Sequence, residues 1–251
     1  MGSVMKGFVD LHLLLPNHVG QGEIKDLIAR SAELGYSSVG IPLPIDVAGK
    51  DVEDIERICI DDDVDLVRRV DLRPRNVREL LRLLRVVRRR REVVAVRCTS
   101  KSIARQAAKD RRVDLICFSS SDPGGRFFGS AVAQLASNST AGLEVDMAPL
   151  IAIDGFRRIR LISSLRREVA LAKKFEVPLV LSSGAFDRYM LRSAQDYASL
   201  AYLFDLAHHA AVRAMSDTPL GTVERNRRKL GPDYVAPGVY VVKRGKDCRG
   251  S

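Results

Sequence analysis

Two pairs of side chains and one loop have the residue types that chemistry requires. Asp10-Leu11-His12 sits at the end of an apolar run, Gly7–Leu13, that reads as a first strand. Glu144 and Asp146 lie two apart within Leu143–Asp146, a second strand-like run, so they share a face. Paired carboxylates of this kind suit acid–base work or Mg²⁺ binding. The competing reading pairs one or both of them with an arginine at the mouth of a barrel. Ser119-Ser-Ser-Asp-Pro-Gly-Gly-Arg126 sets small residues ahead of a helix, the layout of an anion-binding loop.

None of the three goes further. Metal-dependent phosphoesterases of the barrel-shaped polymerase-and-histidinol-phosphatase class open with His-x-His on this strand, whereas here Leu14 follows His12. Only four histidines exist, His12, His18, His208 and His209. An imidazole-rich metal site needs several ligands converging from different strands, and this chain is short of them. The loop is no P-loop, since GxxxxGK[ST] is absent, and no GxSxG elbow supports a serine triad. The cysteines, Cys59, Cys98, Cys117 and Cys248, show no metal spacing and read as small hydrophobes of a reduced, intracellular chain. The residues specify no catalytic group, no metal and no other cofactor.

Charge points outward instead. The 251 residues carry a formal net charge of +10, unevenly placed. Arg73–Arg97 holds ten arginines against Glu79 and Glu92, and Asp51–Asp65 holds eight carboxylates against Arg57. Within the basic stretch Arg78, Arg82, Arg85 and Arg89 recur at helical spacing, nearly opposite Val77, Leu80, Leu81, Leu84 and Val87. A ridge this dense suits a polyanionic partner; the plainer reading is a solvated helix partly paired with the acidic stretch.

These residues must be positioned by an alternating scaffold. Short apolar runs at Ser38–Ile41, Leu66–Leu72, Val93–Arg97, Val113–Phe118, Leu143–Asp146 and Leu179–Ser183 alternate with helical patterns, including Glu23–Leu34, Asp51–Cys59, Ser100–Asp110, Phe128–Ser137 and Phe156–Phe175. Parallel strands need such long crossovers. A long helix is expected over Ser193–Met215, a last one from Asp217 to about Arg228, and a strand at Val239–Val242. With seven or eight strands, no linker and no GxGxxG, the pattern predicts one α/β domain, a TIM-like (β/α) barrel over residues 1–230, closed or distorted. A basic tail over residues 231–251 follows. No apolar run approaches the ~18 residues of a membrane span, and Met1–Phe8 lacks the layout of a signal peptide.

Several phrases, in order and spacing, resemble one family: Phe8-Val-Asp-Leu11, Val70-Asp-Leu-Arg-Pro-Arg-Asn76, Ile103-Ala-Arg-Gln-Ala-Ala108 with Val113-Asp-Leu-Ile116, Gly125-Arg126 with Ala131–Ala136, Leu143-Glu-Val-Asp146, and Leu161–Ser183 running into Met190-Leu-Arg-Ser193. From Phe8 to about Arg228 the chain is similar to the thirty-kilodalton protein subunit of ribonuclease P, called component 3 in archaea. Where that family usually carries an acidic residue before Arg-Ser, this chain has Tyr189-Met-Leu-Arg192.

The resemblance implies a cytoplasmic, non-catalytic barrel. It would bind the catalytic RNA of ribonuclease P and, with a second protein called component 2 and the other subunits, help remove the 5′ leader of precursor tRNA. Carried onto matching phrases, the RNA-binding candidates are Arg73, Arg105, Arg126 and Arg192. The alternative is a metal-dependent phosphoesterase using Asp10, His12, Glu144 and Asp146; no membrane partner is implied.

Overall fold

The computed structural model describes residues 7–15, 21–236 and 239–241. His18, Cys248 and residues 237–238 and 242–251 of the basic tail lie outside the described residues.

Seven strands, β1 (Phe8–Asp10), β2 (Tyr36–Pro42), β3 (Asp65–Leu72), β4 (Val93–Arg97), β5 (Leu115–Cys117), β6 (Gly142–Asp146) and β7 (Leu179–Ser182), pair in chain order and all parallel. The sheet curls until its edges meet. Just past β1 and β7, Gly184 N donates to His12 O at 2.9 Å and Leu14 N to Ala185 O at 2.8 Å. The result is the nearly closed barrel that the alternation predicts. Gly40 on β2 lets β1 approach, because a Cβ there would run into the Leu11 carbonyl.

Helices α1 (Gln21–Glu33), α2 (Gly49–Asp61), α3 (Val77–Val87), α4 (Lys101–Lys109), α5 (Ser130–Ser137), α6 (Ala148–Ala152) and α7 (Gly155–Lys174) occupy the crossovers. Their boundaries follow local chemistry. Gly35, at φ +86°, ends α1. Asn76 caps α3 by accepting from Glu79 N at 2.9 Å, while Glu79 Oε2 accepts from Arg75 N at 2.7 Å. Leu80, Leu84 and Val87 bury the inner face of α3, and Leu161, Leu165, Val169 and Ala172 that of α7. Covered outside by helices and inside by the barrel core, β4 is buried through Val93–Val96, which is why it reads as unbroken hydrophobe.

The single helix expected over Ser193–Met215 is two: α8 (Ala194–Leu200) and α9 (His208–Ala214), with a 3-10 turn at Ala201–Phe204 between them. Asp205 makes the break with a left-handed φ of +59°, and Lys173 Nζ donates to its carbonyl at 2.6 Å. Apolar periodicity continues through the break because both pieces bury one side, so the pattern alone does not reveal it.

The last helix, α10 (Asp217–Leu230), lies across the amino ends of the strands. Val223 joins Val9, Val67, Val93, Leu115 and Val180 in the barrel's lower core. Around it, Asn226 Nδ2 donates to Glu92 O and Asp114 Oδ1, both at 2.8 Å, and Arg227 reaches Glu92 at 2.7 Å and Asp65 at 2.8 Å. Those acceptors stand at or just before the starts of β3, β4 and β5. The helix is the floor of the barrel. Beyond it, β8 (Tyr234–Ala236) and β9 (Val239–Tyr240) pair antiparallel outside the main sheet.

Candidate functional site

Climbing β3 from the floor, inward side chains change character every second residue: Val67, then Arg69, then Asp71. β6 answers with Glu144 and Asp146, β7 with Val180 and Ser182, and His12 projects in from the end of β1. A charged layer therefore sits above the apolar one and below the carboxyl-end mouth.

Arg69 is its centre. Its Nη1 and Nη2 donate to Glu144 Oε1 and Oε2 at 2.5 and 2.6 Å, its Nε donates to Asp71 Oδ1 at 2.6 Å, and Nη1 also reaches Leu11 O at 2.7 Å. Neither Arg69 nor Glu144 exposes any side chain. Ser182 Oγ adds a hydrogen bond to Glu144 at 2.8 Å. His12 joins the other two carboxylates, with Nδ1 2.7 Å from Asp146 Oδ1 and Nε2 3.0 Å from Asp71 Oδ2. The second contact is a charge attraction off the direction a hydrogen bond prefers. Gly184, at φ +60°, lets the chain pass over Asp146, whose side chain a Cβ there would strike.

Protonation follows from these neighbours. Burial and the Arg69 charge both disfavour an imidazolium, but Asp146 and Asp71 outweigh them and push the His12 pKa up to about 10. Burial opposes ionisation of Asp71, yet Arg69 and His12 hold its carboxyl well below the usual range; Asp146 is lowered by His12 in the same way. Asp10 behaves oppositely. Burial raises its pKa against hydrogen bonds from Ser183 and His12, and its Oδ2 has no hydrogen-bond partner among the described residues.

A metal does not fit this layer. His12, Glu144 and Asp146 each bring one ligand atom within 4.8 Å of the others. Glu144, however, is clasped by a guanidinium along both oxygens, and a charged His12 has no lone pair to offer. A divalent ion would have to displace or neutralise two resident cations. The phosphoesterase alternative fails here, because the carboxylates it needs already hold Arg69 and His12. The pairing of Glu144 with an arginine is the reading the sequence offered against it. The partner Arg69 was not foreseen, although it shares the β3 alternation of Val67 and Asp71. Above the layer, a cleft of about 430 Å³ is lined by Arg97, Ser119, Ser120, Asp146 and Gly184. The loop at Ser119–Arg126 partly satisfies itself, with Gly124 N donating to Asp122 Oδ1 at 3.1 Å.

The four arginines expected to meet RNA are not equivalent. Arg73 is exposed just beyond β3 at the barrel mouth, and Arg105 is exposed on α4. Neither has an ion-pair partner among the described residues. Arg126 is instead internal, its side chain 3% exposed. Its Nε and Nη2 donate to Glu168 at 2.8 and 2.6 Å, and Nη1 donates to the carbonyls of Phe118 and Ser119 at 3.4 and 3.2 Å. Its apparent loop position hid a partner forty-two residues away on α7. Arg192 is half-buried, with Nη1 donating to Tyr189 O and Leu191 O at 2.6 and 2.7 Å. Cys59, Cys98 and Cys117 are free and buried, and burial lifts the Cys59 thiol to about 12, so these three behave as core.

Known proteins resemble the chain over nearly its whole length. Over 237 residues the chain is 28% identical to ribonuclease P protein component 3 of Methanococcoides burtonii, covering 94% of each. It is 27% identical over 230 residues to the same component of Halobacterium salinarum, covering 90% of this chain and 94% of that one. A chain in a cryo-EM structure of archaeal ribonuclease P with mature tRNA shares the fold at a TM-score of 0.80 and 21% identity, covering 95% of this chain and all of that one. Residues 7–230 match the family described as RNase P subunit p30, and the chain belongs to it.

Proposed function

We propose that this chain is a protein subunit of ribonuclease P that binds the catalytic RNA and supports removal of the 5′ leader from precursor tRNA, together with component 2 and the other protein subunits. One observation carries the reading beyond family membership. The acidic and imidazole groups that could do chemistry are locked inside the barrel, Asp71 and Glu144 onto Arg69 and His12 onto Asp146 and Asp71, whereas basic side chains such as Arg73 and Arg105 face out without carboxylate partners among the described residues. A protein built this way lends surface charge to a reaction carried out by another molecule. Arg73 and Arg105 are the candidates for phosphate contacts, because a guanidinium engages phosphate through two parallel N–H donors. Arg192 keeps its remaining donors for the same use at the mouth. Arg126 serves the fold. Among the described residues no helix is long and apolar enough to cross a membrane, and we place the chain's work in the cytoplasm, where its buried thiols stay reduced.

Reconstitution tests this. The chain is added to the catalytic RNA and component 2, and cleavage of a precursor tRNA carrying a 5′ leader is followed. Stimulation that requires the RNA, with no cleavage by the protein alone, is the expected result. Lack of any stimulation would overturn the assignment.

A further inference from the structure

Two neighbouring outer helices carry parallel rows of cations. Arg78, Arg82 and Arg85 on α3, and Arg89 in the turn just after it, are all exposed; on α4, Lys101, Arg105 and Lys109 are exposed at successive turns. The helices pack against each other. By the 1.5 Å rise per residue the rows run about 10 Å from Arg78 to Arg85 and about 12 Å on α4, and packed helices lie about 8–10 Å apart. The two rows thus form one basic face.

Pairing is available nearby and the rows do not use it. Arg88, adjacent to the ridge, turns inward onto Asp114 at 2.5 Å. The only carboxylate of α3, Glu79, caps its own helix, and Asp110 at the end of α4 holds Arg112 at 2.9 and 2.7 Å. None of the seven cations has an ion-pair partner among the described residues, and the acidic helix α2 reaches none of them. Like charges one turn apart weaken a helix, and a surface shaped for solubility alone would intersperse both signs. Neither α3 nor α4 contains an aromatic residue on which a base could stack.

We infer that the α3–α4 face is a docking surface for the phosphate backbone of RNA, gripping a folded or double-stranded segment by charge and shape without reading bases. The inference rests on the assignment of the chain as an RNA-binding subunit. It goes beyond that assignment by placing the main electrostatic contact on the flank of the barrel instead of its mouth. Backbone contacts position a protein without sequence preference, and each one lost lowers the magnitude of the salt slope of binding by about 0.7–0.9.

The test uses the reconstituted holoenzyme. Wild type, R82E/R85E and a charge-matched control, K25E/K50E, built on exposed α1 and α2 positions, are compared for thermal unfolding, for assembly with the catalytic RNA across salt concentrations, and for binding to vesicles containing anionic lipid. The expected result is unchanged unfolding in all three, with assembly at least tenfold weaker and a salt slope reduced by roughly 1.4–1.8 for R82E/R85E alone. Equal affinity and slope in R82E/R85E and wild type, with wild type still stimulating cleavage, would overturn this inference and leave the functional assignment standing. Failure of wild type to bind RNA or stimulate cleavage would remove both. Vesicle binding that R82E/R85E loses while keeping RNA affinity would assign the face to a lipid surface and overturn it.

Discussion

Arg69 and Glu144 meet inside the barrel through two parallel N–H···O hydrogen bonds of 2.5 and 2.6 Å, with neither side chain reaching solvent. Removing one partner leaves the other's charge buried and uncompensated, which costs more than the pair contributes. Arg69→Met is expected to destabilise the chain by about 3–5 kcal/mol, and Arg69→Met with Glu144→Gln by less than the sum of the single changes. Denaturant unfolding of the four proteins measures the coupling. Additive losses would show that the two residues act independently.

His12 makes stability depend on alkaline pH. Its folded pKa of about 10 stands above the ordinary 6.5, so its contribution is complete below pH 6.5 and is lost as pH rises through 10. Asp71, held below its ordinary 3.8, behaves in the opposite sense, its contribution present above that value and lost in acid. Thermal unfolding from pH 6 to 10 should show a falling midpoint, and the fall should be shallower in His12→Asn. An NMR titration in which the His12 ring changes charge between pH 6 and 7.5 would contradict the network described.

Arg126 is expected to matter for the fold and not for RNA. Arg126→Ala leaves Glu168 buried without its cation, a loss of about 3 kcal/mol or more, or roughly 6–12 °C in midpoint for a chain of this size. Arg126→Ala with Glu168→Gln should recover part of it. Assembly with the catalytic RNA, measured below the midpoint, should match wild type; a reduced salt slope there would return Arg126 to the RNA interface.

Arg73 and Arg105 should give the reverse pattern. Charge reversal at either exposed position is expected to leave the unfolding midpoint within about 2 °C, since surface substitutions seldom exceed ±0.5 kcal/mol. Holoenzyme assembly should weaken several-fold, most at low salt. The comparison of melting with RNA affinity for each variant decides it.

The floor helix supplies a fifth check. Asn226→Ala removes the donor to Glu92 O and Asp114 Oδ1 and should cost about 1–3 kcal/mol. A smaller loss than Thr222→Ala, whose hydroxyl bonds only to its own helix, would mean that the floor contacts carry little.

Much of this architecture was legible in residue order. β4 falls on Val93–Arg97 as read, and Asn76, Ser100 and Gly35 mark helix ends by local chemistry that operates wherever the chain goes. The break at Asp205 was not legible, because the left-handed turn is held by Lys173 and Arg166 from α7. The site divides along the same line. Alternation puts Glu144 and Asp146 on one face, but which cation they meet depends on how β3 stands across the barrel from β6, a relation set by closure of the whole sheet. Arg126 misled for a similar reason: its loop is local, its partner Glu168 is not.

The floor made by α10 also dictates when the molecule can be finished. Arg227 pairs with Asp65 across 162 residues of chain, and Asn226 with Asp114 across 112. During synthesis β3, β4 and β5 are made well before α10, so the lower end of the barrel lacks its floor and Asp65 and Asp114 lack their α10 partners until that helix emerges. Such non-local closure is entropically late and slow. Docking of α10 is therefore the step that seals the apolar lower core, in which Val223 packs.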